Sequence, residues 1–168
     1  AGYEVGIFTS PYIVDFRERI SLNEQMISEA DFLKLVERVR PVVERLSVET
    51  DLEPATEFEV ITILMFEYFG HMHPVDIAII EAGMGGLYDS TNVFKALAVL
   101  CPSIGLDHQN ILGQTYAEIA AQKAGVLKEG VPFIFATERD DVRQVFTEKA
   151  KTCHSSLYEF GKDFSASE

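Results

Sequence analysis

The chain has 168 residues, of which 47% are hydrophobic and 24% are charged, and its net charge at pH 7 is −13. This length suits one globular domain with a real core, and the acidic balance argues against a nucleic-acid partner, since binding phosphates requires a basic surface. No stretch predicts a membrane span or a signal peptide. Two cysteines, Cys101 and Cys153, fit a reducing compartment. We therefore expect a cytoplasmic protein.

Short apolar runs alternate with helical patterns along the chain. The apolar runs predict strands, at residues 5–8, 75–80, 96–101, 131–135 and 156–160. Helical spacing predicts four helices with Ser28, Thr56 and Thr115 as N-caps, at residues 27–46, 56–69, 115–128 and 140–151. Residues 21–26 and 109–113 are predicted to be a turn and a loop. This alternation is typical of the α/β class, with a mainly parallel sheet flanked by helices.

Polar residues follow three of the predicted strands. The strands at residues 75–80 and 96–101 are expected to be buried, parallel neighbours, with Glu81 and His108 beyond their ends. Because parallel neighbours end at one sheet edge, we expect Glu81 and His108 to face one crevice, with Ser10 at a third strand tip. Together they could share a divalent cation. The alternative is that Glu81 caps a helix and His108 makes only local hydrogen bonds, and spacing leaves both open.

Other candidate features favour ordinary structural roles when taken singly. Gly83-Met84-Gly85-Gly86 lacks the spacing of a dinucleotide or phosphate-binding loop, which favours a flexible loop. Lys123 on the third helix is typical of a solvated surface charge. His71 and His73 are more typical of a surface turn than of a metal-binding pair. Phe58 is more typical of a side chain in the hydrophobic core.

Seven short motifs, however, occur along the chain in a specific order. They are Thr9-Ser10-Pro11, Phe16-Arg17-Glu18-Arg19-Ile20, Glu81-Ala82-Gly83-Met84-Gly85-Gly86, Asp89-Ser90-Thr91-Asn92-Val93, Ser103-Ile104-Gly105-Leu106-Asp107-His108, Leu112-Gly113 and Lys123-Ala124-Gly125. In combination they resemble the folylpolyglutamate synthase/dihydrofolate synthase family of the Mur-ligase-like superfamily, over nearly the whole chain. The resemblance implies that residues 1–168 are a single α/β domain, part of the ATP-binding central domain of a longer ligase.

The resemblance also implies an activity and its residues. The family uses ATP to phosphorylate a folate or dihydropteroate carboxylate, and L-glutamate then displaces phosphate to form an amide. Ser10, Glu81 and His108 would be Mg²⁺ ligands. Lys123 would be a carbamylated ligand of a second Mg²⁺, because carbamylation turns a cation into an oxygen ligand, and with His108 it is a catalytic candidate. Four further residues match positions near the pterin site: Thr56, Phe58, Asp89 and Ser90.

The chain also departs from the family pattern. The phosphate loop Gly-Thr-Asn-Gly-Lys-Gly-Ser and the C-terminal domain are absent from the 168 residues, and Leu87 stands where many members carry Arg. We therefore expect the chain alone to be inactive. Two alternatives stay open: a Mur-type cell-wall ligase acting on a nucleotide-linked sugar peptide, and a non-catalytic binding domain. The Asp89-Ser90-Thr91-Asn92 and Thr9-Ser10-Pro11 motifs favour the folate branch. We further expect small-molecule partners, no membrane association and, by default, a monomer.

Overall fold

A computed structural model describes residues 2–51 and 53–166, and the chain divides into two compact units, residues 1–83 and 84–168. Each unit combines helices with strands and has its own hydrophobic core, so the α/β class is confirmed. The single domain within a longer ligase stays a prediction. In the described ranges, no helix is both long and apolar enough to cross a membrane.

The first unit contains a four-stranded sheet in the order β3-β2-β1-β4. The strands are β1 (Val5–Phe8), β2 (Ile20–Leu22), β3 (Gln25–Met26) and β4 (Ile77–Ile80). β1 and β4 are parallel, as predicted, whereas β2 and β3 form an antiparallel hairpin where only a turn was expected. The hairpin closes through Asn23 and Glu24, which both adopt positive φ, the backbone twist that a tight two-residue turn requires.

Two long helices cover this sheet. Helix α1 (Glu29–Glu49) begins at Ser28, whose hydroxyl accepts the Asp31 N–H, and it runs through Pro41 to three residues beyond the predicted end. Helix α2 (Glu57–Glu67) begins at Thr56 and continues as a π-helical turn (Tyr68–Met72) through Gly70, which therefore does not end it as predicted. The side chains that these elements bury form one core: Phe8, Ile20, Ile27, Leu35, Val39, Ile61, Leu64, Met65, Tyr68 and Phe69.

The second unit contains a fully parallel sheet in the order β5-β6-β7. Its elements are β5 (Val99–Cys101), α3 (Gln109–Leu112), α4 (Tyr116–Ala124), β6 (Phe133–Phe135), α5 (Asp140–Thr152) and β7 (Leu157–Glu159). The Phe146 ring lies edge-on to those of Phe133 and Phe135, at centroid distances of 4.8 and 5.1 Å. Residues 109–112 are helical where a loop was predicted. Helix α4 ends at Ala124, before the predicted end at residue 128, although Gly125 keeps right-handed helical angles of φ −60° and ψ −18°.

The expected pairing of the strands before Glu81 and His108 is wrong. Among the described residues, β4 pairs with β1 and β5 pairs with β6, in separate sheets. The expected burial of both strand faces is wrong as well, since Ile79 is 56% exposed and Leu100 is 71% exposed. An apolar run indicates a strand, but it does not encode which strand becomes its neighbour.

Candidate functional site

Ser10 and Glu81 lie together at the carboxyl ends of β1 and β4. The two strands run in parallel register, with Phe8 opposite Ile80, and the Glu81 N–H donates to the Phe8 carbonyl oxygen at 3.0 Å. The Ser10 N–H donates to Glu81 Oε2 at 2.8 Å. A hydroxyl-bearing residue and a carboxylate therefore share one sheet edge, where open α/β sheets bind ligands. Glu81 does not cap a helix in this structure.

The segment after Ser10 is organised by the carboxylate of Glu18. It accepts the backbone N–H groups of Ile13, Val14 and Asp15 at 2.9, 3.2 and 2.9 Å. These bonds, that from Ile13 above all, lower the pKa of Glu18. Sequence reasoning used Phe16-Arg17-Glu18-Arg19-Ile20 only as a family motif, although the Asp15 to Glu18 spacing is that of the capping box observed in the structure.

Thr56 and Phe58, predicted to lie near a substrate, have clear structural partners. The Thr56 hydroxyl accepts the Glu59 N–H at 3.2 Å and lies 2.8 Å from Glu59 Oε2, completing a capping box. The Phe58 ring lies 5.9 Å from the Phe8 ring, and a Cβ added to Gly83 would come within 2.5 Å of it. Phe58 thus supports the backbone just after Glu81. Substrate contact by either residue stays a prediction.

In the second unit, Asp89 organises the glycine-rich loop. Its Oδ2 accepts the Met84 N–H at 2.8 Å, and its Oδ1 accepts the N–H and the hydroxyl of Thr91 at 3.0 and 2.6 Å. Gly85 adopts a φ of +67°, which favours glycine. The loop is therefore held by a hydrogen-bond network that the expectation of a flexible loop did not include. Ser90, half-buried, follows Asp89 within the same loop.

Lys123 is half-buried on α4. Burial raises the pKa of the Cys101 thiol, and the positive charge of Lys123 acts against that rise. This environment differs from the solvated surface that composition alone favours.

His108 has an unusual backbone conformation. Its φ of +50° and ψ of +36° are left-handed, and it precedes the short helix α3 without a side-chain capping bond. The ring is half-exposed, with Nε2 3.7 Å from Asp107 Oδ2. A non-glycine residue in this conformation is uncommon, and such residues cluster at functional sites. His108 and Lys123 belong to the second unit, whereas Ser10 and Glu81 belong to the first.

Comparison with known proteins identifies the chain's relatives. No protein-family model matches it. It is 48% identical over 151 residues to the dihydrofolate synthase/folylpolyglutamate synthase of Bacillus subtilis (strain 168), and this match covers 90% of the chain. It is 39% identical to the folylpolyglutamate synthase of Lacticaseibacillus casei over 98% of the chain. The chain belongs to the folylpolyglutamate synthase/dihydrofolate synthase family.

Solved folylpolyglutamate synthase structures agree in fold. An FPGS–AMPPCP–folate complex is 39% identical, with a TM-score of 0.93 over 99% of the chain. The folylpolyglutamate synthase of Thermotoga maritima is 36% identical, with a TM-score of 0.88 over 98% of the chain. The chain spans only 35% and 38% of the two curated relatives named above, and 40% and 37% of these two structures.

The donor atoms of the predicted metal site can be compared with the needs of Mg²⁺, which prefers oxygen ligands. In the first unit, the Ser10 hydroxyl and the Glu81 carboxylate both offer oxygen atoms as metal ligands, and the two residues are hydrogen-bonded neighbours at one sheet edge. Their side chains therefore fit the ligand preference of Mg²⁺. Lys123 as an ammonium group has no lone pair for a metal and fits only after carbamylation. Within residues 2–51 and 53–166, no three His, Cys, Asp or Glu side chains form a ready-made metal cluster.

Sequence reasoning assigned no role to Asn92. Its Nδ2 donates to the Leu87 carbonyl oxygen at 3.0 Å and to the Gly125 carbonyl oxygen at 3.4 Å. The side-chain amide thus links the glycine-rich loop of this family member to the end of α4. The only signal in the sequence is an amide-bearing residue that ends the Asp89-Ser90-Thr91-Asn92 motif.

Proposed function

We propose that the chain is part of a cytoplasmic, monomeric, ATP-dependent ligase that joins L-glutamate to a carboxylate of a folate or dihydropteroate. The observation that carries this proposal is the similarity to folylpolyglutamate synthases over nearly the whole chain, at 39% identity for the relative from Lacticaseibacillus casei. One related structure is a complex with AMPPCP and folate. The free, buried thiols of Cys101 and Cys153 are consistent with a reducing compartment.

The proposed chemistry has two steps. A carboxylate oxygen of the folate attacks the γ-phosphorus of ATP, forming an acyl phosphate and releasing ADP. The amine of L-glutamate then attacks the acyl carbon, the C–O bond to phosphate breaks, and an amide and inorganic phosphate result after the amine loses a proton. Since phosphoryl transfer depends on positioning and charge neutralisation, the residues of this chain would act by holding groups in place.

Ser10 and Glu81 in the first unit would be Mg²⁺ ligands, as would His108 in the second unit, and the cation would supply charge neutralisation for the transferred phosphoryl group. The Ser10 N–H bond to Glu81 Oε2 supports the first two assignments, because it fixes the carboxylate at the sheet edge. The Lys123 amine would attack CO₂, forming an N–C bond and losing a proton, and the resulting carbamate oxygens would hold a second Mg²⁺. Asp89 and Ser90 would lie near the pterin, together with Thr56 and Phe58.

The test begins with the natural reading frame that contains the chain. We expect a Gly-Lys-Gly-Ser or Gly-Lys-Ser/Thr motif within a few tens of residues upstream of Ala1. The purified product of that frame should release ADP only when Mg²⁺, L-glutamate and a pteroate or folate are all present. Release of ADP with a nucleotide-linked sugar peptide instead would overturn the folate assignment. Tight pteroate binding without any ATP turnover would favour a binding domain.

A further inference from the structure

We propose that Asn92 is a positioning residue for Lys123, so that its side-chain amide sets the geometry in which the lysine is carbamylated. This inference rests on the proposed function, which gives Lys123 a role as a carbamylated ligand. It concerns only residues of the second unit.

The starting point is the contact between the glycine-rich loop and the C-terminal end of α4. The Leu87 N–H donates to the Gln122 carbonyl oxygen at 2.9 Å. A Cβ added to Gly86 would come within 2.8 Å of the Lys123 carbonyl oxygen, so only a glycine permits this approach. The loop backbone therefore lies directly against the peptide groups that surround Lys123.

The Asn92 side chain adds two hydrogen bonds to this contact. Its single Nδ2 group donates to the carbonyl oxygens of Leu87 and Gly125, in the loop and just past the helix. The last carbonyl groups of a helix have no partner within the helix, and a side-chain donor is one way to satisfy them. Lys123 therefore lies in the chain between two residues, Gln122 and Gly125, whose carbonyl oxygens accept hydrogen bonds from Leu87 and Asn92.

The loop can act as a support because it is itself ordered. Asp89 accepts three hydrogen bonds from Met84 and Thr91, and the Thr91 side chain is buried. Asn92 and Leu87 join this loop to the end of α4 through hydrogen bonds. A lysine side chain has four rotatable carbon bonds, so its amine can be placed reproducibly only if the backbone that carries it is held in one position.

Position 92 requires a hydrogen-bond donor, which the side-chain amide of Asn92 supplies. Both partners of Asn92 are carbonyl oxygens, which accept hydrogen bonds and cannot donate them. An Asn92→Asp change keeps the shape but places a carboxylate oxygen against two carbonyl oxygens. An Asn92→Ala change removes the donor without adding repulsion. We expect Asn92→Asp to weaken the carbamylation of Lys123 at least as strongly as Asn92→Ala does.

The experiment measures lysine carbamylation by ¹³C NMR of the full-length protein in ¹³C-labelled bicarbonate, at a temperature where every variant is folded. For Asn92→Asp and Asn92→Ala, the bicarbonate concentration for half-maximal carbamate signal should rise about ten- to a hundredfold. The kcat should fall by a similar factor at ambient CO₂, with a smaller change in the KM for the folate substrate. Added bicarbonate should restore part of the kcat.

Gln144→Glu is the matched control, since it makes the same amide-to-carboxylate change on an exposed side chain of α5. It should leave the carbamate signal unchanged, and Lys123→Ala should abolish it. If wild type shows a carbamate signal and both Asn92 variants match its bicarbonate dependence, the Asn92 inference is overturned while the ligase assignment stands. If wild type shows no carbamate signal, the role of Lys123 fails and the Asn92 inference fails with it.

Discussion

The Ser10 N–H group and the Glu81 carboxylate, 71 positions apart in the sequence, form a hydrogen bond of 2.8 Å at the ends of two parallel strands. The bond fixes one carboxylate oxygen of an exposed glutamate, whereas the other has no partner among the hydrogen bonds described. Carboxylates that ligate metals are commonly hydrogen-bonded in this way, which is consistent with the proposed role of Glu81. The pairing gives the first unit a defined polar edge.

Glu81→Gln tests whether the negative charge at this edge binds a cation. The glutamine oxygen can still accept the Ser10 N–H, so the local geometry should persist, but the charge is lost. We expect the Mg²⁺ affinity of the full-length protein to fall at least about tenfold, with an unchanged Tm. Titration with Mg²⁺ measures this, with Glu138→Gln as the control at another exposed carboxylate. Equal Mg²⁺ affinity for wild type and Glu81→Gln would rule out Glu81 as a ligand.

Gly83→Ala tests the packing of the backbone that follows Glu81. The added Cβ would lie 2.5 Å from the Phe58 ring, so the ring or the backbone must move. We expect a loss of about 1–3 kcal/mol in the free energy of unfolding. Gly70→Ala is the matched control, because its Cβ would meet nothing within 4 Å and the change should be neutral or slightly stabilising. Equal unfolding midpoints for the two variants in urea would contradict this packing argument.

Glu18 accepts hydrogen bonds from the backbone of residues 13–15, so the conformation of this loop should depend on the protonation of Glu18. Its pKa is lowered in the folded state, so the carboxylate stabilises the loop above the unfolded pKa of about 4.3, and that contribution is lost as the pH falls through the folded value. The amide proton shift of Ile13, measured by NMR, should therefore titrate with a midpoint below about 4.3. In Glu18→Gln this titration should disappear. A midpoint at or above the ordinary glutamate value would show that these bonds do not persist in solution.

Arg143 pairs with one buried and one exposed carboxylate, and the two should differ in their effect on stability. Its Nε lies 2.7 Å from Oε1 of Glu159, which is buried, while its Nη1 contacts the fully exposed Asp140. Arg143→Met leaves the buried Glu159 side chain without its cationic partner and should clearly lower the free energy of unfolding. Asp140→Asn removes only the exposed pair and should lower the free energy of unfolding much less than Arg143→Met does. Chemical denaturation of both variants provides the comparison, and equal losses would contradict it.

Much of the local structure follows from the sequence alone. Ser28, Thr56 and Thr115 were predicted as N-caps, and each accepts a backbone N–H from the residue three positions on. Capping depends on side chains and backbone groups within one helical turn, which is why a linear pattern reveals it. The seven ordered motifs likewise identified the family, because motif order and residue identity are properties of the sequence.

Only the tertiary structure decided which elements meet. β4 pairs with β1 and not with β5, and so Glu81 lies beside Ser10. Asn92 reaches the Gly125 carbonyl group 33 positions away, which no local pattern indicates. Apolar periodicity determines that a segment is a strand or a helix, since it reflects burial of one face. The choice of partner depends on the packing of the whole unit, because the backbone hydrogen bonds that join strands are the same for every sequence.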